Sequence, residues 1–568
     1  MPSLFDTLTL PQLTTVLRSA PDDAHRLPPA GGQQVTDQLR VAPLDAGADL
    51  NRTFYEGDHW QDGRAWQGPT PPATDAEAAT IISEIRRAFV SKNAIREVVG
   101  RHVAGVVGRE PAWGFTPKRP IKTGKAPTRA EQTLIEEAEA ALTAWWDERG
   151  GLGLLQEAAA TLLLSGRASV RLYVPPGLLA DGAVPPGDLA AQLERIFVHH
   201  PQPAHAAVLV DVTTQQRCGV YRYREGEEER AELSYVDMAT GETVLAILSA
   251  SGRTEMRLPL DRALLLGEAV RPALVSEQVR SEQMQLNMAK TMEGRNAVQG
   301  GFLERIVLGG QMPGEYVDDP TAPADAQGRR RRFVPGKMRL GAGRTNWIAG
   351  LPIRDASGNV TGYTTPSVSY RDPVAPDTFQ ATARGAYVAI LEEVSQLHAA
   401  IAGDATASGV SRQQARADFE KSLGQTKAQI DKLARWLLEA ALSLASYFAG
   451  QPARFSALRA VVDCRIDTGP LAADERTALL TQWEKGALSL ETLLALLGVE
   501  DVDAELTRIA EEQAERMATA QAISDPAAPG TPASPATPDP TSGDPSPGGG
   551  SGSSNPSGGT DPNGNPQP

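Results

Sequence analysis

The chain has 568 residues, of which 41% are apolar and 22% charged, with a formal net charge of −15. At about 150 residues per domain this length predicts three or four units, and the apolar content is enough to give them cores. The acidic balance excludes a protein that wraps nucleic acid through bulk charge, so any DNA contact is expected to be weak or confined to local basic spots. Cys218 and Cys464 lie far apart without metal-ligand spacing and are expected to be reduced thiols of a soluble protein folded inside a cell. No basic region followed by an apolar run opens the chain, and no stretch approaches the ~18 apolar residues of a membrane span. Neither a signal peptide nor a membrane partner is expected.

Taken in order, residues 1–50 are Pro-, Ala- and Gly-rich with weak periodicity and read as a loosely held N-terminal arm. Phe54, Tyr55, His59, Trp60 and Trp66 form an aromatic cluster, expected to pack onto the following domain rather than to stack on bases. Apolar spacing predicts helices over 74–90, 94–107, 128–149 and 152–164, with Gly108 and Pro111 stopping the second and Gly166 the last. Alternating runs at 168–174, 207–212, 220–224, 233–237 and 243–248 predict an antiparallel meander. Residues 51–270 therefore read as helices followed by a sheet, and the fold class as α+β multidomain.

Helical pattern returns over 271–299, where Met284, Met288 and Met292 form a row expected to be packing. Residues 300–372 are punctuated by Gly and Pro with short strand-like runs, and read as a small α/β domain hung between two long helices. The second of these, 373–402, aligns Phe379, Ala383, Tyr387, Ile390, Val394, Leu397 and Ile401 on one face. A loop of small residues follows: Gly403, Asp404, Ala405, Thr406, Ala407, Ser408, Gly409 and Val410. Over 411–466 come a long helix (Phe419, Leu423, Ile430, Leu433, Leu437, Ala441, Leu444, Phe448) and a strand, with Ser411 and Gln414 expected to form a capping box. Three short helices fill 467–523, with Asp474, Ser489 and Asp501 as N-caps. Residues 524–568 lack apolar bulk and are expected to be disordered.

Catalytic signatures are absent: no phosphate-binding G-x-x-x-x-G-K-[ST] loop, no H-E-x-x-H and no G-x-S-x-G. His199, His200 and His205 are the best metal candidates, but no Cys or carboxylate sits at ligand spacing, so no metal is expected. Arg329, Arg330, Arg331 and Arg332 are the one basic run. They face either phosphates, an acidic partner or only solvent. With no catalytic set and no expected cofactor, a mechanical or structural function is favoured over an enzyme.

Several passages are familiar as an ordered set: Phe54-Tyr-Glu-Gly-Asp-His-Trp60, Leu163-Leu-Ser-Gly-Arg-Ala-Ser-Val-Arg-Leu172, Gln283-Met-Gln-Leu-Asn287, Thr365-Pro-Ser-Val-Ser-Tyr-Arg-Asp-Pro373, and Lys485-Gly-Ala-Leu-Ser-Leu-Glu-Thr492 with Gly498 and Glu505 behind it. In these and in element order, residues 50–520 resemble the portal proteins, or head-to-tail connectors, of tailed bacteriophages. The resemblance implies an α/β wing, a stem helix, a small clip, a second stem helix, a tunnel loop, a long wing helix and a helical crown. It implies a homo-oligomeric ring, typically a dodecamer, at one capsid vertex of the virion, assembled in the host cytoplasm. Double-stranded DNA would enter through it during packaging and leave at infection. The terminase large subunit would dock on the clip, a head-completion or adaptor protein would later replace it, and scaffold and major capsid protein would contact the outside. In that frame residues 403–410 line the channel, Arg412 and Arg329–Arg332 contact DNA or a partner, and Phe379, Tyr387, Ile390, Val394 and Leu397 belong to the subunit interface. Two rivals stand beside it: a non-channel phage adaptor or scaffold with coiled-coil helices, and a metal-dependent nucleic-acid-processing enzyme using His199, His200 and His205.

Overall fold

Alternating strands with one apolar face must bury that face against another layer, and the first half of the chain does so twice. The computed structural model describes residues 4–18, 39–60, 82–83, 85–118, 127–175, 188–260, 265–301, 305–310, 314–324, 327–335, 350–357, 359–370, 374–401, 409–467, 473–497, 499 and 502–524. Its strands are β1 (Leu39–Val41), β2 (Ala112–Pro117), β3 (Arg167–Tyr173), β4 (Phe197–His199), β5 (Ala206–Asp211), β6 (Arg217–Glu225), β7 (Glu228–Val236), β8 (Thr243–Ser249), β9 (Gly252–Leu258), β10 (Leu266–Val270), β11 (Arg305–Leu308), β12 (Gly314–Asp318), β13 (Arg331–Pro335), β14 (Pro352–Arg354), β15 (Val360–Tyr363), β16 (Ser367–Tyr370) and β17 (Leu458–Asp463). Its helices are α1 (Leu10–Arg18), α2 (Ala48–Glu56), α3 (Ala94–Val107), α4 (Arg129–Glu148), α5 (Gly151–Ser165), α6 (Leu189–Leu193), α7 (Glu277–Gly301), α8 (Pro376–Glu393), α9 (Leu397–Ile401), α10 (Gly409–Phe448), α11 (Ala473–Glu484), α12 (Leu490–Leu496) and α13 (Val502–Ser524). The mixture of helices and several small antiparallel sheets fits the α+β expectation. The chain divides into two compact units, Met1–Thr477 and Ala478–Pro568.

In the first unit a six-stranded antiparallel sheet runs in the order β1-β5-β6-β7-β8-β9, and a three-stranded one in the order β10-β3-β4. The described residues of the expected arm are part of this architecture rather than loose. Phe5, Leu8, Leu13 and Leu17 are buried with Leu209, Val220, Leu233 and Tyr235 on one face of the larger sheet, and Leu39–Val41 pairs with β5. The sheet face would otherwise expose its apolar side, and α1 supplies the cover.

The largest core joins α4, α5 and the long helix α10, where Leu142, Trp145, Leu162, Leu433 and Leu437 meet. Local chemistry sets the ends of these helices. Thr128 and Glu131 form a capping box at the start of α4. Gly166, at φ +82, ends α5 while its N–H donates to Leu162 O. Strand β17 returns from α10 to pair with β2.

Two further departures have physical causes. The helix expected over 373–402 is broken: α8 ends at Glu393, Ser395 takes φ +57, and the short α9 follows. Gln396 holds the break, its N–H donating to Leu391 O and its Nε2 to Val98 O. Strand β9 was not expected because its residues are mostly exposed and mostly polar; its pairing with β8 defines it.

The second unit contains the remainder of α11, then α12 and α13. Gly486, at φ +72, closes α11 through paired bonds, Gly486 N to Trp483 O and Ala487 N to Gln482 O. Ser489 Oγ accepts from Thr492 N and caps α12 as expected. The tail expected to be disordered, from residue 525 onward, lies outside the described residues.

Candidate functional site

Helices α7 and α8 form an antiparallel pair that carries the 302–373 insert at one end. Near the other end Ser276 Oγ donates to Glu393 Oε1 at 3.2 Å. At the insert end the Asn296 side-chain amide pairs with the Val374 peptide in both directions: Nδ2 donates to Val374 O at 2.7 Å, and Val374 N donates to Oδ1 at 2.9 Å. Gln380 Nε2 adds a bond to Glu293 Oε1. The apolar side of the pair buries Val279, Leu286, Ala383, Ala386, Ile390 and Leu391 with Val98 and Val99 of α3.

A second row of α7 is polar yet buried. Gln283, Asn287 and Thr291 are all fully buried at one-turn spacing, and they face the segment that leads into α3. Gln283 Oε1 accepts from Ala94 N (2.9 Å) and Ile95 N (3.2 Å), satisfying orphan donors at the start of α3. Its Nε2 donates to Lys92 O and to Asn287 Oδ1. Asn287 Nδ2 lies 3.0 Å from His59 Nδ1, and burial lowers the His59 pKa, so the neutral ring accepts. Thr291 Oγ1 accepts from Val90 N. This row was missed in the sequence because polar residues one turn apart ordinarily mark a solvated face. The neighbouring methionine row is packing for Met284, which is buried.

The insert is a set of two-stranded ribbons. Strands β11 and β16 pair where the chain leaves and re-enters the helix pair, and β12–β13 and β14–β15 are separate hairpins. Among the described residues, none in the insert joins a buried hydrophobic cluster. Several of its described apolar side chains face outward instead: Tyr316 and Tyr363 are 61% and 68% exposed, and Leu308, Val317, Ile353 and Val360 are exposed too. The basic run lies in the β12–β13 hairpin. Arg331 Nε is 3.5 Å from Asp318 and Arg332 Nε 3.8 Å from Asp319, while Arg330 Nη1 donates to Pro320 O. These are surface pairs of small energetic weight, so they leave the charge available to a partner.

At the far end α9 turns back onto the first turns of α10, where the His398 ring lies 4.5 Å from Phe419. Residues 402–408, and with them most of the expected tunnel loop, lie outside the described residues. Gly409 and Val410 are already helical, so Ser411 sits inside α10 and is not its N-cap. Arg412 is half-buried in the same turn.

The five expected interface residues divide. Ile390 and Val394 are buried in the core of one chain. Tyr387 is anchored to α3 and the segment before it, its hydroxyl donating to Glu97 Oε1 and its ring lying 3.7 Å under Lys92 Nζ. Phe379 and Leu397 are half-buried.

The three histidines do not act together. His200 uses both ring nitrogens, 2.8 Å from Ser169 O and 2.8 Å from Thr161 Oγ1, beside a cleft of about 790 Å³ between α2, α3 and α5. His199 is exposed and meets the Tyr221 ring edge-on. Among the described residues no group of three His, Cys, Asp or Glu side chains is disposed to hold a metal, and no helix is long and apolar enough to cross a membrane. Comparison with known protein families and with characterised proteins finds no match to this chain.

Proposed function

We propose that the chain is the subunit of a phage portal: a ring at one capsid vertex through which double-stranded DNA is packaged and ejected. One observation carries the reading. An insert bracketed by an antiparallel helix pair exposes Tyr316, Tyr363 and several aliphatic side chains and, among the described residues, has no buried cluster and forms only ribbons too small to be stable alone. Such a region is completed by other chains, and in a head-to-tail ring every copy meets the same neighbours. In this reading β1–β10 with α2–α6 are the wing, α7 and α8 the stem, the insert the clip, and α11–α13 the crown. The terminase large subunit and later a head-completion protein dock on the clip, scaffold and major capsid protein surround the wing, and residues 403–408 face the DNA.

The coiled-coil adaptor loses support because the apolar stripe of α8 is already covered by α3 and α7 within one chain. The metal-dependent enzyme loses His200, whose nitrogens are both engaged. Negative-stain microscopy with mass photometry of the purified full chain tests the proposal. Closed rings with a central hole are expected; monomers or dimers alone at high protein concentration would remove it.

A further inference from the structure

The buried polar row on α7 ends on a group that titrates, and its hydrogen bonds have one workable polarity. The peptide N–H groups of Ala94 and Ile95 can only donate, so Gln283 must turn Oε1 toward them, at 2.9 and 3.2 Å. Its Nε2 then faces two acceptors, Lys92 O at 2.8 Å and Asn287 Oδ1 at 3.0 Å. Lys92 N, at 3.3 Å, holds Asn287 in the same sense. That leaves Asn287 Nδ2 pointing at His59 Nδ1, 3.0 Å away, which must therefore accept and carry no proton. The backbone at the start of α3 dictates, through two amides of α7, the tautomer of a histidine in a third segment.

A proton on Nδ1 breaks this arrangement and every alternative to it. It sets donor against donor between His59 and Asn287. Turning the Asn287 amide over relieves that contact but puts Nδ2 against Gln283 Nε2 and the Lys92 N–H. Turning Gln283 as well puts its Nε2 against the Ala94 and Ile95 N–H groups and its Oε1 against Lys92 O. Gln283, Asn287 and His59 are all buried, where an unmade hydrogen bond carries its full desolvation cost.

The surroundings of the ring do not offset that cost. Phe54 of α2 stacks on it with centres 5.1 Å apart. Asn93, from the segment before α3, lies beside it with Nδ2 committed to Phe54 O and Tyr55 O. Among the described residues the charge acting on the ring is Asp58, of its own segment, while Lys92 Nζ is turned onto the Tyr387 ring. Burial outweighs the help that Asn93 and Asp58 give the proton, so the folded pKa lies below its ordinary 6.5. The closed row is therefore fully stable above about 6.5 and weakens as pH falls toward the lowered value.

We infer that His59 is a proton-operated catch on the junction of α7 with α3: protonation of its ring releases Asn287 and Gln283 and frees the start of α3. The inference concerns a single chain and does not rest on the ring reading.

The test is hydrogen–deuterium exchange of the full-length chain between pH 7.5 and 5.5, read by mass spectrometry on fragments covering 90–97 and corrected for the intrinsic exchange rate at each pH. Exchange at the start of α3 is expected to rise about fivefold on acidification, as uptake of one proton on opening requires, while fragments from α4 and α5 stay level. His59→Gln keeps an acceptor for Asn287 and does not titrate, so it is expected to flatten the profile. Asn287→Asp puts an oxygen on both sides of the side chain, accepting from Gln283 and from a protonated ring together, and is expected to abolish or reverse the step. A flat profile in the parent chain overturns the inference, as does a rise shared equally by α4 and α5. So does an undiminished step in either variant with unchanged circular dichroism; if His59→Gln fails to fold, Asn287→Asp decides.

Discussion

The six-stranded sheet and the insert are both built from antiparallel strands, yet they treat their apolar residues in opposite ways. In the six-stranded sheet, Leu209, Val220, Leu233 and Tyr235 are sealed under Phe5, Leu13 and Leu17. In the insert, Tyr316 and Tyr363 face solvent, although Tyr316 has an aromatic neighbour of its own, Phe333, at 5.2 Å. The difference teaches that apolar strand residues ask for cover without saying which chain supplies it. A six-stranded sheet with a helix laid on it meets that need internally; ribbons of two strands do not.

The contrast breaks hardest where the sheet region has buried charge. Arg167 is 1% exposed, donates to Ala42 O and Pro203 O, and lies 3.9 Å from the buried Glu268. Arg167→Ala strands that carboxylate, with an expected loss of about 3–5 kcal/mol in urea unfolding followed by tryptophan fluorescence. A loss under 1 kcal/mol would mean that the sheet region tolerates an unpaired buried carboxylate.

The same pair predicts a pH dependence. Burial raises the Glu268 carboxyl from its usual 4.5 to about 7, against the opposing pull of Arg167. Between those values the folded state binds more protons than the unfolded one, so this group's contribution to stability falls as pH rises from about 4.5 to 7. The full effect is on the order of 3 kcal/mol. Glu268→Gln is expected to remove that slope, read as the difference between the two proteins' unfolding midpoints across the window. Parallel pH profiles would assign the slope to other groups.

These residues also show what the sequence made legible. Helices α3 to α5, the strands β3 and β5 to β8, and the insert between two helices follow from periodicity and from stops such as Gly166. That signal depends only on which side chains avoid water. Arg167 and Glu268 were silent because charge is ordinarily a surface mark, and their burial depends on partners 101 positions apart in the chain. Gln283, Asn287 and Thr291 were silent for the same reason. The break at Ser395 was hidden because the apolar stripe of α8 continues in phase through Val394 and Leu397, while the buried Gln396 decides the backbone. Of the candidate site, the bracketing helices and the strand runs that became β11, β13 and β16 were readable; the outward-facing tyrosines and the inward use of Ile390 and Val394 were not, since a stripe on one element does not name the surface it meets.

The smallest effect on the single chain is the most informative about function. Tyr316→Ser and Tyr363→Ser remove exposed rings from ribbons that contribute no buried cluster, so unfolding of the isolated chain is expected to shift by no more than about 0.5 kcal/mol. If neighbouring copies cover the insert, the same double variant loses apolar area at every interface of the assembly. Each buried tyrosine ring is then worth about 1.5–3 kcal/mol, multiplied around the ring. Mass photometry at matched concentration is therefore expected to show monomers replacing the assembled species, while the unfolding midpoint stays put. Unchanged assembly would mean that the exposed rings serve a visiting partner rather than a second copy. Loss of monomer stability instead would mean that the insert has a core of its own, and the contrast with the six-stranded sheet would disappear.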